Sequence, residues 1–469
     1  MIDIESAKKV FILGIKGVGM AQLAIILHKM GKVVVGVDVP EKFITDDELK
    51  SYQITIVENF DISSLPSDSD LVVYSAAHGG TNNPIIKEAI KRGFKTVSQA
   101  ALLGFLVTMF EKSIAVCGSH GKTTTSSLLS YALIKLGVKP SYFTGSSGFN
   151  DYPAGDYDST SYFVVEADEY GVNPPQDKTP KFLQLKPSFS LCTNIDFDHP
   201  DIFANLEEVK SSYETFFKQS EYNVVCADSE PAIEVIIKSG VQFVSFGFAE
   251  DATYRIINHQ ATSLGSKFDL ISGDKVISDI HLSLHGDHNI VNAAGVVVVL
   301  LKLGFIEKNI KKAVRDFVGA KRRFEVVYNE KGITIVDDYA HHPEEIKAVI
   351  KAAAERWGTK PIVIFQPHTY SRTQALLEEF AGSFVGSKHA YILPIFASAR
   401  ENVSDFIVTH KDIVIKAKER GFDSIESLSG TDDLCSKLAS TPIPCVIMTL
   451  GAGDVYKLHS DIIRALNRP

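Results

Sequence analysis

The sequence predicts an α/β protein of three domains, each built on a largely parallel sheet covered by helices, and three observations carry that reading. Short β-branched strands alternate with amphipathic helices along most of the chain, which is the rhythm of βαβ units. Two glycine loops, 14–19 and 118–121, each stand between an apolar strand and a helix. The length, 469 residues, is about three times a typical domain of ~150 residues.

The elements follow in order. Strand 8–15 (KKVFILGI) leads through the first glycine loop into helix 19–31, then strand 32–38, helix 46–52 and strand 70–77, a Rossmann-like parallel sheet. A second start comes at strand 113–118 (SIAVCG), whose glycine loop opens helix 123–137. Further strands lie at 161–168, 189–195 and 222–228, and a strand-rich stretch at 254–284 precedes helix 288–304. This is the pattern of a central α/β domain, P-loop ATPase-type by the glycine-lysine-threonine loop that opens it. After AKRRFEVVY the alternation restarts with strand 332–340, helix 343–358, strand 361–367, helix 371–384, strand 390–396 and strand 444–454, a second Rossmann-like unit. The expected domains are therefore 1–108, 109–318 and 319–469.

Composition narrows the function classes. Hydrophobic residues at 45% and charged residues at 22% are those of a soluble globular protein, which excludes a disordered, collagenous or disulfide-dense chain. Lys+Arg 48 against Asp+Glu 57 gives a net charge of −9, so a broad basic footprint for nucleic acid is missing and no nucleic-acid partner is expected. The N-terminal segment runs from acids straight into a strand and does not read as a cleaved signal, so a cytoplasmic location is expected. The longest apolar run, 293–301, is less than half the roughly 20 residues of a membrane span and reads as a buried helix, so no membrane is expected. Cys117, Cys192, Cys226, Cys435 and Cys445 are scattered and never spaced CxxC, which predicts reduced core residues and neither disulfides nor zinc.

The sharpest motif is Gly118-Ser119-His120-Gly121-Lys122-Thr123-Thr124-Thr125 between strand and helix. Its glycines let backbone N–H groups approach a phosphate chain, Lys122 neutralises phosphate oxygens, and Thr123 offers a hydroxyl to magnesium. The strict GxxxxGK[ST] pattern fails only at its first glycine, where Val116 stands. Phosphoryl transfer also needs acids at neighbouring strand ends, and two sets qualify: Glu166, Asp168 and Glu169, then Asp196, Asp198, His199 and Asp201. The first loop, Gly14-Ile-Lys-Gly17-Val-Gly19, departs from the dinucleotide fingerprint because Gln22 occupies its third glycine position. Asp38 ends the next strand, where an acid meets a ribose hydroxyl. A structural turn, a diphosphate ligand and the nicotinamide cofactor of an NAD-dependent oxidoreductase all remain open for this loop.

Downstream, Asn289 and Asn292 lie one turn apart on a predicted helix, suited to a purine edge or to capping and packing. Arg323, at the last junction, reads as a solvated linker residue or an interdomain phosphate clamp. Asp337-Asp338-Tyr339-Ala340-His341-His342-Pro343 follows a strand without completing a zinc set. His368 and Arg372, four apart after another strand, suit a small carboxylate, which a guanidinium binds bidentately.

Together GIKGVGM, GSHGKTTT, EADE, TNIDFDH, GDHNIVNA, KRRFE, DDYAHHP, FQPHTYSRT and GAGD resemble, in order and content, the Mur ligases across essentially the whole chain. That resemblance implies an ATP-dependent amide-forming ligase of peptidoglycan precursor biosynthesis, working through an acyl phosphate. DDYAHHP followed by FQPHTYSRT is similar to the branch that joins L-alanine to the lactyl carboxylate of UDP-N-acetylmuramate. DFDHPDIF and the Tyr170 after EADE are also similar to the branch that reattaches recycled tripeptide. Carried over residue by residue, the ATP site comprises Gly118 to Thr124, Asn289, Asn292, Arg323 and Asp338; Thr123, Glu166 and His199 hold magnesium, with His199 alternatively a base. Gly14, Gly17, Gly19 and Asp38 hold the UDP end, and Tyr339, His368 and Arg372 hold alanine. Thr369 stands where some members carry an arginine, leaving Arg372 to bind the amino-acid carboxylate. A monomer or weak homodimer with a hinge near Arg323 completes the expectation.

Overall fold

Three large sheets organise the chain, which a computed structural model describes at residues 4–397, 401 and 403–467. In the first sheet the strands lie in the order Thr55–Val57, Val33–Val37, Lys9–Leu13, Leu71–Tyr74, Lys95–Ser98, all parallel. The order reverses between Lys9–Leu13 and Leu71–Tyr74, which opens a crevice at the strand ends beside the Gly14–Gly19 loop. Beyond the predicted elements this unit adds helix Pro84–Lys91, capped by the Asn83 side chain, and helix Gln99–Val107, capped by Ser98.

The middle sheet has ten strands. Its centre is parallel, with Phe189–Cys192, Lys112–Cys117 and Tyr162–Glu166 side by side. Register places Cys117 opposite Cys192 and Val116 opposite Glu166, so the phosphate loop and both acidic segments leave the sheet at one edge. The strand-rich stretch forms an antiparallel extension, Tyr254–Thr262, Gly265–Ser272 and Lys275–Leu282. The apolar run 293–301 lies inside helix Asp287–Lys302 and is buried over most of its length. No helix among the described residues is long and apolar enough to cross a membrane. All five cysteines are free, and four are buried.

The third sheet runs Glu325–Glu330, Ile333–Asp338, Cys445–Leu450, Ile362–Phe365, His389–Ile392, Ile425–Ser427; the first pair is antiparallel and the rest parallel. The single helix expected at 371–384 is two helices, Tyr370–Ala375 and Leu377–Ala381, broken where Leu376 takes φ −115° and ψ 26°. Leu376 is itself buried at the break and packs in one cluster with Phe380, Ala381 and Phe384, so core packing overrides helical continuity.

Two of these units share an interior and the third does not. Helix Val18–Lys29 is buried from Met20 to Leu27 because it lies between its own sheet and the middle unit, and one apolar cluster runs through both. The clusters of the third unit contain only its own residues. Its contacts with the rest of the chain are largely polar, the arrangement expected of a unit that moves relative to its neighbours.

Gln22, the residue that spoils the dinucleotide fingerprint, belongs to the shared interior. Its Oε1 accepts the N–H groups of Thr144 (3.0 Å) and Gly145 (3.2 Å), and its Nε2 donates to the Ser146 carbonyl (2.7 Å). The position thus serves the joint between two units. Gln22→Leu strands three buried backbone groups, and at roughly 1–3 kcal/mol for each unsatisfied group it should lower the thermal midpoint by several degrees. A wild-type melting curve would refute this.

Candidate active site

The phosphate loop is shaped by what its glycines touch. Gly118 has φ +134°, and a Cβ there would fall 2.1 Å from Thr193 Oγ1; Gly121 has φ +82°, and its Cβ would fall 2.7 Å from Asn292 Oδ1. The segment after strand Phe189–Cys192 fixes the loop. Thr193 Oγ1 and Asn194 Nδ2 donate to the His120 carbonyl, His120 N–H donates to Asn194 Oδ1 (2.9 Å), and Ser119 exchanges two bonds with the Asp196 backbone.

Lys122 opens helix Lys122–Lys135 and folds back over this loop, donating to the Gly118 carbonyl (2.6 Å) and pairing with Glu169 (2.7 Å). Burial opposes its charge, but Glu169, Glu166 and Asp168 overcome that and hold the ammonium well above its usual range. Glu166, at the end of its strand, is pushed up to about 7 by burial against the pull of Lys122 and Arg323. Its Oε2 is buried with no hydrogen-bond partner. Beside it, ligand atoms of Glu169, Asp198 and His199 lie within 4.8 Å of one another. An orphaned carboxylate oxygen and a set dominated by oxygen donors fit a hard divalent cation.

Beside the loop opens a cavity of about 310 Å³. It is lined by the predicted His120, Gly121, Thr124, Asn289, Asn292, Arg323 and Asp338, drawn from the middle and third units. Asn289 commits its amide N–H to the His285 carbonyl (2.8 Å). Arg323 donates to Thr123 Oγ1 (3.0 Å) and stacks on Tyr339, with its guanidinium carbon 4.9 Å from the ring centre. It therefore spans the units and is not a solvated linker residue, while its neighbours Arg322 and Phe324 both take positive φ, 59° and 53°. Asp338 accepts the N–H groups of Phe324 and Ala340 (2.7 Å each), and burial pushes its carboxyl up to about 6 against the nearby Arg323. Arg322 binds Asp337 and the Gly451 and Gly453 carbonyls, which accounts for the GAGD segment.

A larger cavity of about 600 Å³ runs from Gly14, Gly17, Gly19 and Asp38 to Glu166, Asp168, Lys181 and Tyr339. Asp38 was expected to meet a ribose hydroxyl. In the cavity wall its oxygens accept the N–H groups of Lys16 (2.7 Å) and Val39 (2.8 Å), with His78 Nε2 3.6 Å away, so it also holds the loop. Lys16, buried, donates to the Val39 and Glu41 carbonyls and to Glu58, tying down the adjoining segment. Lys16, His78 and Lys181 escaped the sequence reading; only the lysine inside GIKGVG offered a signal.

The third unit lines this cavity with Tyr339, Phe396 and Ala397; His368 stacks behind Phe396, and for Arg372 the expectation needs correcting. Arg372 does not present a free fork: its Nε (3.0 Å) and Nη2 (2.8 Å) donate to Asp198 Oδ1 and its Nη1 to the His368 carbonyl (3.1 Å). Both partners are about 5% exposed, and an unpaired charge at that depth is costly, so the guanidinium neutralises Asp198. Thr369 caps helix Tyr370–Ala375. His341, read from the sequence only as part of the Asp337–Pro343 motif, lies edge-on to His368 and has its Nδ1 3.0 Å from the Tyr339 carbonyl. Burial and Arg372 hold it neutral, which makes Nδ1–H the donor and leaves Nε2 with its lone pair. Glu345, missed from the sequence, reaches His120 from the third unit (3.1 Å). Burial opposes a charge on that ring, yet Asp196 and Glu345 raise it to about 10.

The chain is similar to known proteins along its whole length. Residues 9–111 match the Mur ligase family, catalytic domain; residues 116–300 the Mur ligase middle domain; and residues 322–452 the Mur ligase, glutamate ligase domain. It is 34% identical to the UDP-N-acetylmuramate–L-alanine ligase of Desulfitobacterium hafniense, over 96% of this chain and 98% of that protein. It is 32% identical to the ligase of the same name from Lactobacillus helveticus, over 97% and 98%. In fold it is similar to the UDP-N-acetylmuramate-alanine ligase of Thermotoga maritima, with TM-score 0.79, 24% identity and 98% of each chain covered. It is similar also to a murein peptide ligase of Psychrobacter arcticus, with TM-score 0.73, 22% identity and coverage of 98% and 99%. With the three family segments matched in order and full-length relatives above 30% identity, the chain belongs to the Mur ligase family.

Proposed function

We propose that the protein joins L-alanine to the lactyl carboxylate of UDP-N-acetylmuramate, using ATP and releasing ADP and phosphate. One observation carries this reading: Glu166 stands in the wall of the cavity that begins at the first glycine loop and, at the same time, beside Lys122 and Thr123. A nucleotide-sugar extending from Gly14 would therefore deliver its carboxylate to the phosphate loop. The amine is inferred from the names of the full-length relatives.

Labour divides among residues 1–108 for the UDP-sugar, 109–318 for ATP and 319–469 for the amino acid. Gly118 to Thr124 cradle the phosphates, Asn289 and Asn292 flank the base, and Lys122 and Arg323 stabilise charge on the transferred phosphoryl group. Thr123, Glu166 and His199, with Glu169 and Asp198 adjacent, would hold magnesium, which neutralises phosphate charge when bound. The acyl phosphate then meets the amine beside Tyr339, His341 and His368. Arg372 and Asp198 bring that face of the third unit against the middle unit. No enzyme nucleophile is required.

The test is phosphate release from ATP with UDP-N-acetylmuramate, comparing L-alanine, glycine, L-serine and tripeptide as amine. L-Alanine should give the highest kcat/KM. Chelation with EDTA should stop turnover, and added magnesium should restore it. Preference for tripeptide would replace the reading by the recycling ligase; a nicotinamide-dependent absorbance change without phosphate release would replace it by the oxidoreductase.

A further inference from the structure

Glu345 lies in helix Pro343–Trp357 of the third unit and bonds two loops at once. Its Oε1 is 3.1 Å from Nδ1 of His120 in the phosphate loop. Its Oε2 accepts the N–H groups of His341 (3.0 Å) and His342 (3.3 Å) in the loop that carries Tyr339. The His120 ring is held on its other sides as well. Nε2 lies 3.6 Å from Asp196, and the His342 ring covers it with centroids 4.6 Å apart. The backbone of His120 is in turn tied to Thr193 and Asn194. One carboxylate therefore links the position of the third unit to the shape of the loop that ends in Lys122 and Thr123.

The packing makes such a link necessary. Apart from Ala320 at the junction, the third unit places no residue in the middle unit's apolar clusters, so polar pairs do much to set its register. Arg323 with Thr123 and Arg372 with Asp198 are two of these, and each involves a group already assigned to phosphate, metal or amino-acid binding. Glu345 with His120 is a third: His120 belongs to the phosphate loop itself, and Glu345, from the third unit, reaches that loop through the His120 ring.

We propose that Glu345 is a positioning residue that, acting through His120, couples docking of the third unit to the geometry of the phosphate loop. The inference rests on ATP occupying that loop. It predicts that His120 and Glu345 act as one unit. Glu345→Ala and His120→Ala should each lower kcat about 10- to 100-fold, and the double variant should be no slower than the slower single one. The KM for L-alanine should change less than kcat. Glu345→Gln keeps an acceptor for His120 but offers an amide to the His341 N–H, so it should recover part of the lost rate and guards against misfolding of the alanine variant.

The experiment measures kcat, both KM values, ATP affinity and the thermal midpoint for these variants. Full activity in Glu345→Ala, or losses that multiply in the double variant, would overturn the coupling. A lower midpoint at unchanged kcat would reduce Glu345 to a stabilising contact and overturn it too. Wild-type protein that binds ATP but forms no amide would instead sink the proposed function. The same cycle is then read on ATP affinity, where independent effects overturn the inference.

Discussion

Lys122→Ala is expected to lower kcat by about 10³-fold or more while leaving the fold intact, because it removes the charge that serves phosphoryl transfer and disturbs the acids around it. The lysine sits between the Gly118 and Ser119 carbonyls and Glu169, within the field of Glu166 and Asp168. Burial already pushes Glu166 up to about 7, and Lys122 is the first group that opposes it. Without the ammonium, that carboxyl rises further and holds its proton at neutral pH, when it is needed ionised. One substitution thus removes the phosphate cation and weakens the cation-binding oxygens together. Lys122→Met should behave alike, since the loop retains its ties through Thr193, Asn194 and Asp196. Phosphate release and circular dichroism on both variants check this; turnover within about tenfold of wild type would mean the lysine only packs the loop.

The sequence was most legible where chemistry is local. Strand-loop-helix order located both glycine loops, and apolar runs placed the central strands, because a buried parallel strand must be apolar on both faces. Helix Gln99–Val107 gave no periodic signal, being apolar all round where it lies against Lys181–Gln184 of the middle unit. The pairs that build the site were illegible for another reason. Lys122 and Glu169 are 47 residues apart, Arg372 and Asp198 are 174 apart, and His120 and Glu345 are 225 apart. Each residue announced a charge, but only the folded chain assigns its partner. Gln22 shows the same limit: the mismatch to a fingerprint was visible, its bonds across two units were not.

Arg372→Ala is the second large effect, and the buried Asp198 decides its form. Removing the guanidinium leaves a carboxylate about 5% exposed without its main counter-charge, at a cost of roughly 3–5 kcal/mol. A residue that merely bound the amino-acid carboxylate would raise the KM for L-alanine and leave the melting curve alone. A residue that joins the two units should lower the thermal midpoint and reduce kcat more than it raises that KM. Arg372→Lys should recover little, because one ammonium cannot reproduce two bonds to Asp198 and a third to the His368 carbonyl. Asp198→Asn should relieve the stability loss of Arg372→Ala, since no buried charge then lacks a partner. If the double variant regains stability but not turnover, the ion pair serves closure of the third unit. If it regains neither, Arg372 has a partner beyond Asp198, and the incoming carboxylate is the first to test.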